Sequence, residues 1–180
     1  MLFHSANSVT YLGRTLRINS PSRFPKPEEI LILTKKINFS DNIREKIRIT
    51  TEEIAKSVHL RKFLRFSEKT SIKVGSFGIT MAEISPDKGR YNIFINDYAY
   101  FLTFIPKNFF PFREGTTLLV PADSEYFSEN DFCKIVRFIS ETNPQKTIIS
   151  GNYSEKLFSL LKGIQNVEVK NEIFQPSVFA

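Results

Sequence analysis

Residues 4–34 read HSANSVTYLGRTLRINSPSRFPKPEEILILT, and three signals in this stretch decide the fold. Residues 8–11 (SVTY) and 15–18 (TLRI) alternate β-branched or aromatic side chains with polar ones on either side of Leu12, Gly13 and Arg14, which reads as two strands and a tight turn. Residues 19–28 (NSPSRFPKPE) hold three prolines and two serines and sustain neither a helix nor a strand ladder. Residues 30–34 (ILILT) are an almost unbroken apolar run, as expected of a strand covered on both faces. A hairpin therefore feeds, through a long loop, into a central strand.

Downstream, Asp41 is placed to cap a short helix over 42–47, and Thr50 or Thr51 with Glu53 resembles a capping box opening a helix over 52–63, with the strand-like 48–50 between them. From Phe63 to Phe104 the apolar residues recur with period two, punctuated by Gly75, Pro86-Asp87, Gly89 and Asn96-Asp97, the pattern of an antiparallel meander. The remainder alternates strand (116–121), helix (131–141, capped by Ser128), strand (146–150), helix (154–163, capped by Ser154 and closed by Gly163) and strand (167–169). Residues 171–180 (NEIFQPSVFA) read as a last edge strand or a short docking tail, with the strand preferred. The class is α/β with mixed sheets covered by helices on their outer faces.

The 180 residues suffice for one domain with a core and do not require two; 41% are hydrophobic and 18 are Phe, which excludes a disordered chain. The formal charge of +6 is unevenly spread: residues 1–95 carry 17 Lys and Arg against 9 Asp and Glu, whereas residues 96–180 carry 8 against 10. The lone cysteine, Cys133, excludes an internal disulfide and reads as a core residue in a reducing compartment. No basic leader precedes an apolar run and no stretch approaches the roughly 18 apolar residues of a membrane span, so a cytoplasmic protein without a membrane partner is expected.

In this order the pieces resemble the small hydrolase branch of the metallo-β-lactamase superfamily. Residues 4–34 match that family's opening segment, TTEEIAKSVH (50–59) stands where it has a helix, SIKVGSFGITMAEISPDKG (71–89) resembles its V-x-V-G hairpin, and NPQKTIISGNY (143–153) resembles its closing strand. The resemblance implies a four-layer αββα sandwich with mixed sheets spanning residues 1–180 as one compact domain. It also implies a metal-binding H-x-H-x-D-H motif beginning at Lys35, whose ligands hold one or two zinc or similar ions that acidify bound water to the hydroxide used in hydrolysis.

Aligned without gaps, the ligand positions of that motif fall on Lys35, Ile37, Phe39 and Ser40. The bridging aspartate falls at Ile105 or Pro106, and the last histidine at Gly151 or Asn152. None of these matches its counterpart. The chain has only two histidines, His4 and His59, too few for a binuclear site of this type. The resemblance with its ligands gone implies a metal-free pseudoenzyme with no cofactor, acting as a binding or assembly subunit.

Other chemistry finds little support. VGSFG (74–78) reads as a hairpin turn and not as a nucleophile elbow, no phosphate-binding glycine loop is present, and Glu52-Glu53 suit the start of a helix. No convergent titratable set for an unrelated hydrolase can be assembled. Two surfaces remain. Phe109, Phe110 and Phe112 lie in the proline-bounded loop 105–115 and either tuck over the core or form an interface for a protein partner or a second copy. Arg44, Lys46, Arg48, Lys56, Arg61, Lys62 and Arg65 form a basic set that is either a solvated face or, in the alternative reading, a contact surface for RNA or DNA, with Phe63, Phe66 and Tyr91 near in sequence.

Overall fold

The computed structural model describes residues 2–5, 8–39, 42–68 and 70–170. The hairpin forms as its sequence requires: β2 (Ser8–Tyr11) and β3 (Arg14–Ile18) pair antiparallel. Leu12 and Gly13 both have positive φ, 48° and 72°, the backbone of a two-residue turn whose twist matches the strands. β1 (Leu2–Ser5) pairs with β2 on the outside. The apolar run supplies β4 (Ile30–Ile32), buried at every position, which lies parallel to β3 and to β5 (Ile47–Thr50). β6 (Leu64–Arg65) closes this sheet parallel to β5, giving the order β1-β2-β3-β4-β5-β6.

The second sheet contains the meander β7 (Ser71–Val74), β8 (Phe77–Ile84), β9 (Tyr91–Ile95) and β10 (Ala99–Phe101), followed by the parallel strands β11 (Thr117–Pro121), β12 (Lys146–Ser150) and β13 (Val167–Val169). Its order is β13-β12-β11-β10-β9-β8-β7. VGSFG is indeed the β7–β8 turn, with Gly75 at φ 58° and the Ser76 hydroxyl donating to the Tyr11 carbonyl at 3.2 Å. One apolar cluster joins the two sheets; Tyr11 and Phe77 meet at 6.4 Å between ring centres, and Phe66 and Tyr91 at 5.6 Å. The architecture is thus α/β, two mixed sheets with few helices.

Three α-helices are described. α1 (Glu52–Ser57) is capped by Thr51, whose hydroxyl accepts from the Ile54 amide at 3.4 Å. α2 (Phe132–Thr142) follows a single 3-10 turn opened by the Ser128–Asp131 capping box. It buries Phe132, Ile135, Phe138, Ile139 and Thr142, one stripe at helical spacing. α3 (Ser154–Leu160) begins at Ser154, so that Tyr153 and not Ser154 is the cap residue, and Gly163 follows with φ 96°. No described helix is long and apolar enough to cross a membrane.

Four expectations are corrected. Cys133 is exposed, because it falls off the α2 stripe set by Phe132 and Ile135. Residues 42–46 form no helix: Glu45 is buried and accepts from the Ser22 amide at 2.6 Å, tying the proline-rich loop down, while Ile47 already enters β5. The helix expected over 52–63 ends at Ser57. The strand near Phe63 belongs to the first sheet as β6 and not to the meander. Residues 171–180, where an edge strand was expected, and Ser40 and Asp41 lie outside the described residues.

Candidate functional site

Beyond β3 the chain reverses at Asn19, whose φ of 54° lies in the left-handed region that asparagine tolerates better than most residues. Its side chain is almost fully buried and uses both ends. Oδ1 accepts from the amides of Thr34 (2.6 Å) and Lys35 (3.2 Å), and Nδ2 donates to the Thr34 hydroxyl (2.7 Å) and the Tyr126 hydroxyl (3.0 Å). Thr34 and Thr103 share a hydrogen bond of 2.7 Å. The Thr103 amide donates to Asn92 Oδ1 at 2.6 Å, and Asn92 Nδ2 returns to the Phe104 carbonyl at 3.0 Å. One polar chain thus fastens the ends of β3, β4 and β10 and the start of β9 to the loop carrying Tyr126. Burial raises the Tyr126 and Tyr91 phenols far above their ordinary value, so both stay neutral; the Tyr126 hydroxyl accepts from Asn19, and Tyr91 donates to the Leu33 carbonyl at 2.5 Å.

Lys35 follows directly on Thr34 and forms an isolated antiparallel bridge with Arg90, which joins the two sheets at this end. Its side chain is only 10% exposed. Nζ donates to the Glu125 carbonyl, lies 3.9 Å from the Glu125 carboxylate and stands 4.4 Å over the Tyr126 ring. Desolvation lowers the Lys35 pKa, Arg90 adds to that effect, and Glu125 and Asp123 oppose it. Beside it opens a cleft of about 430 Å³ lined by Asn19, Ser20, Lys35, Lys36, Asn38 and Glu125 among others.

The resemblance read from the sequence implies a divalent metal here, and the side chains present do not fit one. Lys35 presents an ammonium, and Ile37 and Phe39 present hydrocarbon. Ile105 and Pro106 are half-buried in a second cleft, and Asn152 is exposed. Gly151 has φ 105°, and a β-carbon there would meet the Ala122 carbonyl oxygen at 2.6 Å, so the backbone is closed to a side chain in this conformation. Among the described residues no group of three or more His, Cys, Asp or Glu is arranged to hold an ion. His59 is exposed at the end of α1 with φ 54°.

The aromatic loop divides. Phe109 packs edge-on against Phe138 at 5.1 Å, and Phe112 stacks near Tyr100 at 4.9 Å, its amide bonded to the Thr142 carbonyl at 2.8 Å. Only Phe110 points outward, 71% exposed.

The basic set is spread over the β5–α1–β6 edge and partly engaged. Lys56 and Arg65 both pair with Glu52, at 2.9 and 3.0 Å, and Arg44 and Arg48 donate to backbone carbonyls. Lys46, Arg61 and Lys62 are exposed. Phe66 and Tyr91 are core residues, unavailable for stacking on bases. The Asn19 network was not foreseen; its only local signal is an asparagine at a strand end before a proline-rich loop, and its partners are 15 to 107 residues away.

With this geometry in view, the comparisons with known proteins identify the architecture. No protein-family model and no curated protein matches the chain. Two solved structures superpose on it over 93% of its length: a diphosphatase from the PhnP family (TM-score 0.61, 11% identity, 80% of that chain) and the metallo-β-lactamase fold protein YhfI from Bacillus subtilis (TM-score 0.59, 10% identity, 89% of that chain). The chain therefore has the metallo-β-lactamase fold.

Proposed function

We propose that this chain is a non-catalytic member of the metallo-β-lactamase fold, a pseudoenzyme whose former active-site face is a binding surface for a partner. The observation that carries the reading is Lys35. Where the chain leaves the central strand β4, it sets a largely buried ammonium held by the Glu125 carbonyl and the Tyr126 ring. A fixed cation there repels a divalent ion, and neither Ile37 nor Phe39 contributes a donor atom. Without a metal to acidify a bound water, the hydrolytic route of this fold has no nucleophile.

The same face keeps what a binding surface needs: a rigid floor made by the Asn19 and Asn92 networks, and open clefts to either side of Tyr126. The aromatic loop contributes chiefly Phe110, since Phe109 and Phe112 are used in packing. The test is hydrolysis of bis(p-nitrophenyl) phosphate and p-nitrophenyl acetate by purified protein supplied with zinc, manganese or iron. The reading predicts rates equal to those of a mock preparation. Turnover that co-elutes with the protein and disappears on chelation overturns it.

A further inference from the structure

The second cleft, lined in part by Tyr126 and by Arg90, encloses about 400 Å³ and has an unusual lining. Four cationic side chains, Arg90, Lys107, Lys134 and Arg137, converge on it from three separate segments against a single carboxylate, Asp131. Lys134 pairs with Asp131 at 3.7 Å and Arg137 with Glu141 at 2.6 Å. Among the described residues no carboxylate forms an ion pair with Arg90 or Lys107. Lys35 stands 4.4 Å over the Tyr126 ring and feels the charge of Arg90, while Glu125 and Asp123 oppose that effect. The floor is aromatic, with half-buried Phe104 and Phe109 beside Tyr126, and the Arg137 guanidinium lies 5.7 Å over the Phe109 ring.

These cations lie in a half-chain whose net charge is slightly negative, apart from Arg90, so the cluster is not a by-product of overall composition. Asp131 and Glu141 offset Lys134 and Arg137, and Asp87 acts on Arg90 only at longer range, so Arg90 and Lys107 keep charge that no paired carboxylate neutralises and that an anion bridging them would offset. Multiply charged oxyanions match the guanidinium forks of Arg90 and Arg137. A flat π-system adjoining the phosphate matches the phenylalanine floor, since base-on-aromatic stacking is tolerant of base identity. We infer that this cleft binds a phosphorylated nucleoside unit, with Arg90 and Lys107 as the principal phosphate contacts and Phe104 and Phe109 beneath the base. The inference rests on the non-catalytic reading above, because it takes the ligand as bound and not turned over. The shared chemistry has two sources, a free nucleotide or one unit of a single strand of RNA.

The test measures binding of ADP, inorganic phosphate and a fluorescein-labelled 12-nucleotide single-stranded RNA at low salt, for the native chain, for Arg90→Ala/Lys107→Ala, and for Arg44→Ala/Lys62→Ala as a basic-surface control. All four substituted residues are exposed, and unchanged circular dichroism and melting confirm that the variants fold. The expected result is that ADP or the RNA binds, that Arg90→Ala/Lys107→Ala weakens it about tenfold or more, and that the control does not. Loss of two phosphate contacts is also expected to reduce the slope of log affinity against log salt for RNA by roughly 1.4. ADP as tight as RNA assigns a free nucleotide; RNA much tighter than ADP assigns a strand. No binding by either, equal competition by inorganic phosphate, or equal losses in the control variant overturns the inference. Hydrolysis of the bound ligand would instead overturn the non-catalytic reading while leaving the cleft assignment intact.

Discussion

Replacing Asn19 by alanine removes the side-chain bonds through which Asn19 ties the end of β3 to Thr34, Lys35 and Tyr126. The amides of Thr34 and Lys35 lose their acceptor while remaining buried, which costs about 1–3 kcal/mol each. Alanine must also hold a left-handed backbone at φ 54°, adding about 1–2 kcal/mol. The expected loss is therefore about 3–8 kcal/mol, a large share of the roughly 5–15 kcal/mol that stabilises a domain. Asn19→Gly separates the two effects: it relieves the backbone and loses the same bonds, so it should be more stable than Asn19→Ala by about 1 kcal/mol. Asn19→Asp keeps the acceptor for both amides and should lose less than either. Urea unfolding followed by circular dichroism and by the intrinsic emission of the six tyrosines, in a chain without tryptophan, measures each difference. An Asn19→Ala protein within about 1 kcal/mol of the native one would refute the claim that this network holds the site together.

Two further outcomes follow from the same geometry. Lys35→Met keeps the stem and removes the ammonium. The folded chain holds the Lys35 pKa below its ordinary value, so between the lowered and the ordinary value the unfolded chain binds more protons, and stability attributable to this lysine rises with pH. The urea midpoint of the native protein minus that of Lys35→Met should therefore increase between neutral pH and pH about 10, and a flat or falling difference contradicts the burial described. Phe109→Ala should cost about 1–3 kcal/mol, because the ring packs on Phe138 but is only half-buried, whereas Phe110→Ala should change stability by less than about 0.5 kcal/mol in the same unfolding assay.

Much of the fold is legible in local signals. The Leu12-Gly13 turn, the apolar strand Ile30–Ile32 and the period-two meander each announce themselves within a dozen residues, because side-chain alternation and turn chemistry are local properties. Segments decided by distant contacts are less legible. Residues 42–46 have a helix-like pattern, yet Glu45 satisfies the Ser22 amide and Ile47 enters β5. Cys133 looks like a core residue until the phase of α2 is fixed by Phe132, Ile135 and Phe138. Of the site, the identity of Lys35 was visible, but its cage was not: Glu125 and Tyr126 are some 90 residues away. The converging cations were missed altogether, since Arg90, Lys107, Lys134 and Arg137 are isolated in sequence and meet only through the fold.

The proposed loss of metal chemistry rests on Lys35, an ammonium, and on Ile37 and Phe39, hydrocarbon, at the end of the central strand of a metallo-β-lactamase fold. Metal content measures it most directly: equilibrium dialysis of the purified chain against micromolar zinc, manganese and iron in turn, followed by elemental analysis of the protein after removal of free ion. The account predicts well under one ion per chain for every metal, with Lys35→Met no different. One or two ions retained per chain would contradict it.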